Sequence, residues 1–457
     1  MRLDIHDVVN AVGGKILNNQ ENTTEILSVS TDTRTIEHGA LFIPIKGERF
    51  DGHLYIETAA EKGAVCALTE DSTVCRELDI PLIFVESTRR ALMDLAYFYR
   101  RLFDIKVIAV TGSAGKTTTK DMIAHVMAMK YKTKKTIGNF NNDIGMPLSI
   151  FRLEPDDEVL VLEMGMNHAG EISKLSYVGM PDIVVITHIG DAHIENFQNR
   201  EGILHAKLEI LDGLKPGGTV VFNGDDPLLT GDIAQKKASG FNQLYPGADN
   251  IISIKNTGIT ENQCHFRWQG KDINVTVPVP GGHMVMNALL AVVVGIESGV
   301  SPDVIAQGFS SFTPPGSRLS LININDMLVI DDVYNANPAA MYEAIKILVG
   351  QKSRTVAVLG DMYELGHVAE ERHREVGEFA AESGVNLLIT IGSHAKLMNE
   401  GFLSRAAKNE AEAFHFNKPD DFINESDNIL RSGDTVLLKA SRGMAFENII
   451  RALKEKA

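Results

Sequence analysis

The sequence predicts an α/β protein of three domains, the central one built on a parallel sheet. Three observations carry that expectation. At 457 residues the chain is too long for one core, and length alone suggests about three domains. From residue 107 onward, apolar runs alternate with segments of helical periodicity, the pattern of parallel strands covered on both faces. Within that pattern, residues 106–122 read KVIAVTGSAGKTTTKDM, a strand, a glycine turn and a helix start in immediate succession.

The elements follow in order. Residues 40–45, 64–68 and 81–85 read as strands, and 88–102 as an amphipathic helix that closes a first section, 1–103. The break at 103–106 is short, so the first two domains should touch. In the second section, 104–313, residues 107–110 form a short buried strand, and helical periodicity begins at Lys116. Residues 159–163, 182–187 and 219–223 are the next strands, and a β-rich insert at 250–279 carries the only tryptophan, Trp268. Pro314-Pro315-Gly316 is the clearest boundary in the chain. After it, section 314–457 alternates again, with strands at 327–330, 355–359, 386–391 and 435–439.

Composition narrows the function. Hydrophobic residues make up 44% and charged residues 23%, the profile of a soluble globular protein. The net charge of −16, with no basic run to offset it, argues against a nucleic-acid partner. No apolar run reaches the ~18 residues that span a bilayer, so no membrane insertion is expected. The opening MRLDIHDVVN carries acids where an export signal needs an apolar core. Three cysteines (Cys66, Cys75, Cys264) lack metal-ligand spacing and read as reduced thiols of a cytoplasmic protein.

The glycine turn is a phosphate cradle. Backbone N–H groups of Gly112, Ser113, Ala114 and Gly115 can turn inward, the helix start adds positive potential, and Lys116 reaches the outer phosphates. Thr117, followed by Thr118, would offer a hydroxyl to Mg2+. Val110 stands where the general GxxxxGK[ST] pattern has glycine, so the reading rests on TGSAGKTTT in its context. Since ligands of parallel sheets bind beyond the carboxyl ends of the strands, residues after the apolar runs matter most. Glu163 ends one run; it either holds a metal or caps the turn that follows. His193, in THIGDAHIENF, is either a metal ligand or a structural hydrogen-bonder, and His188 has a weaker claim. Lys207 either snorkels from an apolar helix face or, desolvated, reacts with CO2 to give a carbamate that could bind Mg2+. Asn139, Asn141, Asn142 and Asp143 form either a capped turn or part of a polar substrate site. Arg318, Asp331 and Asp332 could face a nucleotide, or serve as salt-bridge and capping residues.

Together these motifs resemble the Mur ligases, the ATP-dependent amide-forming enzymes of bacterial cell-wall precursor synthesis. The matching segments are STDTR at 30–34, GALFIPIKGERFDGH at 39–53, TGSAGKTTTK at 111–120 and GNFNNDIGMPLS at 138–149. EMGMNHAGEI at 163–172, HAKLEIL at 205–211, HMVMNALLA at 283–291 and PPGSRLS at 314–320 follow. DDVYNANPAAM at 331–341, GDMYELG at 360–366 and KASRGM at 439–444 complete the series. TGSAGKTT would fit any member, or a folylpolyglutamate synthase. GNFNNDIG, DDVYNANP and GDMYELG point to the members that add a dipeptide.

The resemblance implies an N-terminal domain for a UDP-sugar, a central ATPase and a C-terminal Rossmann-like lid that receives the incoming amine. It assigns Thr117, Glu163, His193 and Lys207 to two Mg2+ ions, with Lys207 at a position carbamylated in several members. It matches Asn287 and Arg318 to adenine, ribose or phosphate contacts and Asp332 to a ribose contact. Ser30, Thr31, Arg34 and Lys46 fall in the uridine-diphosphate region, and Asn139, Asn141, Asn142 and Asn335 in substrate-binding segments. Ala114 stands where Ser is common, and Met284 replaces an Asn of the usual His-Asn-xx-Asn. The implied reaction joins UDP-N-acetylmuramoyl-tripeptide to D-alanyl-D-alanine through an acyl phosphate, with ATP as the phosphoryl donor and a monomer as the working form. The rival expectations are a ligase adding a single amino acid and, from another class, a nucleotide-binding protein with no catalytic activity.

Overall fold

A computed structural model describes the chain except residues 19–24, 48–49, 74–77, 257–259, 315, 317–318, 407–411 and 457. Arg318 and Cys75 therefore lie outside the described residues. The fold is α/β, with three mainly parallel sheets along the chain and a small antiparallel one.

The first sheet orders its strands Lys15–Ile16, Leu82–Phe84, Ala64–Thr69, Ala40–Phe42, Ser28–Ser30, all parallel except the first. The strand expected at 40–45 ends at Phe42; Pro44 follows, with no N–H to continue a ladder. Helix Thr88–Arg100 starts on a Ser87 cap, whose side chain accepts the Arg90 N–H, and buries Leu92, Leu95, Ala96 and Tyr99.

The central sheet runs Asn242–Leu244, Thr219–Phe222, Ile183–Ile186, Lys106–Thr111, Val159–Glu163, Thr133–Lys135, parallel throughout. Strands 107–111 and 159–163 are buried along their whole length, which is why they read as unbroken apolar runs. The edge strand Thr133–Lys135, three polar residues, gave no such signal. Because the strand Lys106–Thr111 lies between Ile183–Ile186 and Val159–Glu163, three chain segments leave the sheet side by side at one edge.

Helix Lys116–Ala128 packs on helix Gly282–Glu297, which is apolar and buried almost all round. An antiparallel sheet, Ile251–Asn256, Asn262–Trp268 and Lys271–Val277, makes up the expected insert. Its buried residues alternate along Asn262–Trp268, and the Trp268 indole donates to Glu297 Oε1 at 3.2 Å. None of the described helices is long and apolar enough to cross a membrane.

The third sheet orders Ser320–Ile324, Met327–Asp331, Thr435–Lys439, Thr355–Gly360, Leu387–Ile391, Glu412–Phe416, antiparallel only at the first pair. That first pair is a hairpin the sequence reading missed. Asn325 and Asp326 turn it with φ of 48° and 58°, the left-handed pair that two-residue hairpins require.

The first and second domains are clipped together by Arg100, 1% exposed. Its guanidinium donates to the carbonyls of Phe103 (2.8 Å), Gly179 (3.3 Å) and Ile105 (3.4 Å). Burial lowers its pKa, while Asp182 and Asp104 oppose that loss. Arg89 adds a bidentate pair to Asp143 across the same junction. Arg100→Ala would leave buried carbonyls without donors. The expected loss is about 3 kcal/mol in urea unfolding; a loss below about 0.5 kcal/mol, the range of an ordinary surface substitution, would show that the clip contributes nothing.

Candidate active site

The phosphate loop is held open by glycine geometry. Gly112 has φ 147°, and a Cβ there would lie 2.1 Å from Thr187 Oγ1; Gly115 has φ 79°, and its Cβ would lie 2.7 Å from Asn287 Oδ1. Both glycines hold positive φ, so a residue with a side chain would be strained there whatever space its neighbours could yield. Neighbouring strand ends fix the turn: Ser113 N–H donates to His188 O at 2.7 Å, and Thr187 Oγ1 donates to Ala114 O at 2.5 Å. The Lys116 ammonium folds back to Gly112 O at 2.8 Å. Thr117 and Thr118 are buried in the first helical turn, and the helix begins without a side-chain cap. The buried Asn287 amide donates to Met284 Sδ at 3.7 Å, so Met284 takes up a contact within this helix.

Among the buried polar atoms of the described residues that lack a hydrogen-bond partner are Glu163 Oε2 and Lys207 Nζ. Glu163 leaves its strand 1% exposed, and its other oxygen accepts the Asn141 amide at 2.8 Å. Lys207 is fully buried. Burial first, then the charge of Lys116, pulls its pKa well below 10.5, while Glu163, Glu209 and Glu171 push the other way. An unpartnered carboxylate oxygen and an unpartnered amine in the same electrostatic neighbourhood are a donor set that a hard divalent cation fits, the amine once carbamylated.

His193 lies on the third segment leaving the sheet edge, with φ 64°, an uncommon backbone for a residue with a side chain. Its Nδ1 is 2.5 Å from Glu364 Oε2 of the third domain. His188 pairs through Nδ1 with the buried Asp226 (2.8 Å), which also accepts the Ile189 N–H. The residues that sequence reasoning passed over are Asp191, Arg200, Arg372 and Glu364. Buried Asp191 pairs with Arg200 (2.5 Å) from its own domain and Arg372 (3.1 Å) from the third. Burial would raise the Asp191 pKa, but the two guanidiniums outweigh it and hold it low. Asp191 and Glu364 both sit inside motifs visible in the sequence, THIGDAHIENF and GDMYELG.

In the third domain the strand ends of 327–331, 355–360 and 435–439 gather the remaining motifs. Asp332 Oδ2 is 2.5 Å from Lys439 Nζ, which also donates to Asn335 O; Asn335 Oδ1 accepts the Arg442 N–H at 3.3 Å. Ser441 Oγ accepts the Tyr363 N–H at 2.8 Å. Between this domain and the phosphate loop lies a cavity of ≈ 100 Å³ bordered by Ser113, Ala114, His188, Arg200, Asn337, Tyr342 and Arg372.

Of the asparagine cluster, Asn141 alone reaches Glu163. Asn142 Oδ1 accepts the N–H groups of Ile144 and Gly145, so its oxygen caps a turn, and Asn139 is exposed. A second, larger cavity of ≈ 1250 Å³ runs from Asn141 and Asn142 between helix Thr88–Arg100 and helix Glu171–Gly179. The first domain carries Ser30, Thr31, Arg34 and Lys46 at the carboxyl ends of its parallel strands or just beyond. Exposed Arg34 grips Asp32 with three N–H bonds, which lower the Asp32 pKa to about 2, and Lys46 lies 4.0 Å from Asp51.

Three family models match the chain: "Mur ligase family, catalytic domain" at 25–100, "Mur ligase middle domain" at 110–295 and "Mur ligase, glutamate ligase domain" at 317–442. A Bacillus subtilis protein, UDP-N-acetylmuramoyl-tripeptide--D-alanyl-D-alanine ligase, is 38% identical over 99% of this chain and 98% of its own length. The crystal structure of MurF from Acinetobacter baumannii superposes with a TM-score of 0.92 at 30% identity, covering 100% of this chain and 99% of that one. MurF ligase from Thermotoga maritima, in complex with ADP, gives 0.82 at 28% identity over 94% and 99%.

Lys207→Met removes a buried amine that has no partner. In CO2-free buffer the variant is expected to be more stable by about 1–3 kcal/mol near neutral pH. The sign with pH follows from the lowered pKa: below 10.5 the unfolded chain binds a proton that the folded one sheds, so wild-type stability rises toward that pH. Denaturant titrations should show the variant's advantage shrinking between pH 8 and pH 10; an advantage independent of pH would mean the amine is not desolvated.

Proposed function

The chain belongs to the Mur ligase family, and from that premise we propose how its residues divide the work. The protein is an ATP-dependent ligase that adds D-alanyl-D-alanine to UDP-N-acetylmuramoyl-tripeptide, giving the pentapeptide precursor, ADP and phosphate. One observation supports the site assignment above the others: two unpartnered buried groups, Glu163 Oε2 and Lys207 Nζ, beside an intact phosphate loop. A nucleotide-binding protein without catalytic activity has no need of them. The ligases that add a single amino acid find less support, since the full-length relatives carry the dipeptide-adding name.

In this reading the 1–103 domain takes the UDP-sugar at Ser30, Thr31, Arg34 and Lys46, the 104–313 domain takes ATP, and the 314–457 domain takes the dipeptide. Gly112, Ser113, Ala114 and Gly115 cradle the phosphates with Thr117 and Thr118, and Lys116 neutralises the charge gathering on the γ-phosphate. Asn287, Arg318 and Asp332 bind the rest of the nucleotide. Asn139, Asn141, Asn142 and Asn335 meet the peptide substrates, and Asn141 also aims Glu163. Thr117, Glu163, His193 and Lys207, once carbamylated, would hold Mg2+, with two ions expected. When bound, Mg2+ supplies positive charge that lets one anion approach another.

A free carboxylate is a hopeless acyl donor, because oxide is so poor a leaving group. Phosphorylation of the tripeptide's terminal carboxylate converts it into an acyl phosphate, with ADP leaving. The amine of the dipeptide then attacks the acyl carbon, and phosphate departs from a tetrahedral intermediate. The third domain, pressed on the phosphate loop, excludes the water that would hydrolyse the acyl phosphate. The working form in this reading is a monomer in the cytoplasm.

The test is a product assay with ATP, Mg2+ and UDP-N-acetylmuramoyl-tripeptide, offering D-alanyl-D-alanine or single amino acids in parallel. Pentapeptide and phosphate are expected with the dipeptide alone. Faster product formation with a single amino acid, or no product with any amine, would overturn the assignment.

A further inference from the structure

The contact between His193 and Glu364 crosses from the middle domain to the third, and the reading of His193 as a metal ligand leaves it unused. Glu364 is held in place from both sides. Inside its own domain, the preceding Met362 N–H donates to Nε2 of the buried His373 at 2.9 Å, and Tyr363 N–H donates to Ser441 Oγ at 2.8 Å. Across the junction, Glu195 N–H reaches Glu364 O at 3.4 Å. Gly366 comes so close that a Cβ there would lie 2.8 Å from Glu195 Cβ. His193 and Glu364 both adopt left-handed backbones, φ 64° and 63°. Such backbones persist in residues with side chains only where their surroundings over-determine them. The result is a carboxylate oxygen 2.5 Å from His193 Nδ1.

That placement has a chemical consequence. A carboxylate opposite Nδ1 favours the tautomer that carries its proton there, which leaves the Nε2 lone pair free to ligate. We propose that Glu364 is a positioning residue that orients His193 for a divalent cation, so that the cation is held tightly only when the third domain closes on the middle one. This rests on the assignment of His193 to the metal. By linkage, metal and nucleotide bound at the phosphate loop would in turn favour closure by the same factor.

The test uses the full-length protein with ADP and Mn2+ as the probe, free Mn2+ being followed by electron paramagnetic resonance. Glu364→Ala is expected to weaken Mn2+ binding by about 10- to 100-fold, the usual effect of losing a partner of a ligating histidine. Glu364→Gln, whose amide oxygen can still accept from Nδ1, should retain most of the affinity. Combining Glu364→Ala with His193→Ala should weaken binding no further than His193→Ala alone, because the carboxylate acts through the imidazole. If His193→Ala weakens Mn2+ binding and Glu364→Ala does not, the positioning role falls while the metal assignment stands. If the two losses multiply, Glu364 acts on its own and the role likewise falls. If His193→Ala leaves the affinity unchanged, the metal assignment fails and this inference with it.

Discussion

An amine with no partner, sealed from water beside a loop shaped for phosphate, sets the terms for the rest of this molecule. Lys207 is fully buried, and the strongest opposing influence on its charge is a carboxylate, Glu163, with one oxygen also unpartnered. Leaving both groups so is expensive in a folded protein, because each gives up hydration with nothing in return. Folds tolerate such arrangements where a ligand completes them. The central sheet is the device that enforces the arrangement. Its buried strands Lys106–Thr111 and Val159–Glu163 deliver the phosphate loop and Glu163 to one edge, and Ile183–Ile186 delivers the segment that carries His193.

The third domain then determines what happens at that edge. Its contacts with the middle domain include three charged pairs, Arg372 on Asp191, Glu364 on His193, and Glu343 on His283 at 3.2 Å, beside apolar packing that joins the two domains. Hydrogen bonding from His283, helped by Lys346, holds the Glu343 carboxyl at about 2, so that side chain stays a carboxylate near neutral pH. The small cavity left between the domains at the phosphate loop, ≈ 100 Å³, is below the roughly 300 Å³ of an ordinary ligand pocket.

Much of this was legible in the sequence, and the limits are physical. Buried parallel strands announce themselves as apolar runs, so 159–163 and 435–439 were read to the residue. Edge strands such as Thr133–Lys135 and Glu412–Phe416 have a wet face and no run, and they were missed. The phosphate loop is a local object, with strand, glycines and lysine contiguous, and needed no tertiary knowledge. Pairings between distant segments are different. Nothing in THIGDAHIENF says that Asp191 will meet Arg372, or that Glu364 will arrive at His193, because those contacts arise only when two domains dock. Asn142 shows the converse hazard: a polar residue in a substrate-like motif whose oxygen serves the local backbone.

The claim at the centre is that Lys207 does not remain an amine in the working protein. On the proposed function it would combine with CO2 to give a carbamate, turning an uncompensated buried group into an anionic oxygen donor. Carbon-13 NMR of the full-length protein in labelled bicarbonate, with Mg2+ and ADP, tests this directly. A carbamate carbonyl resonance should be present in the wild type and absent from Lys207→Ala. A wild-type spectrum without that resonance, in protein competent to form product, would contradict the account.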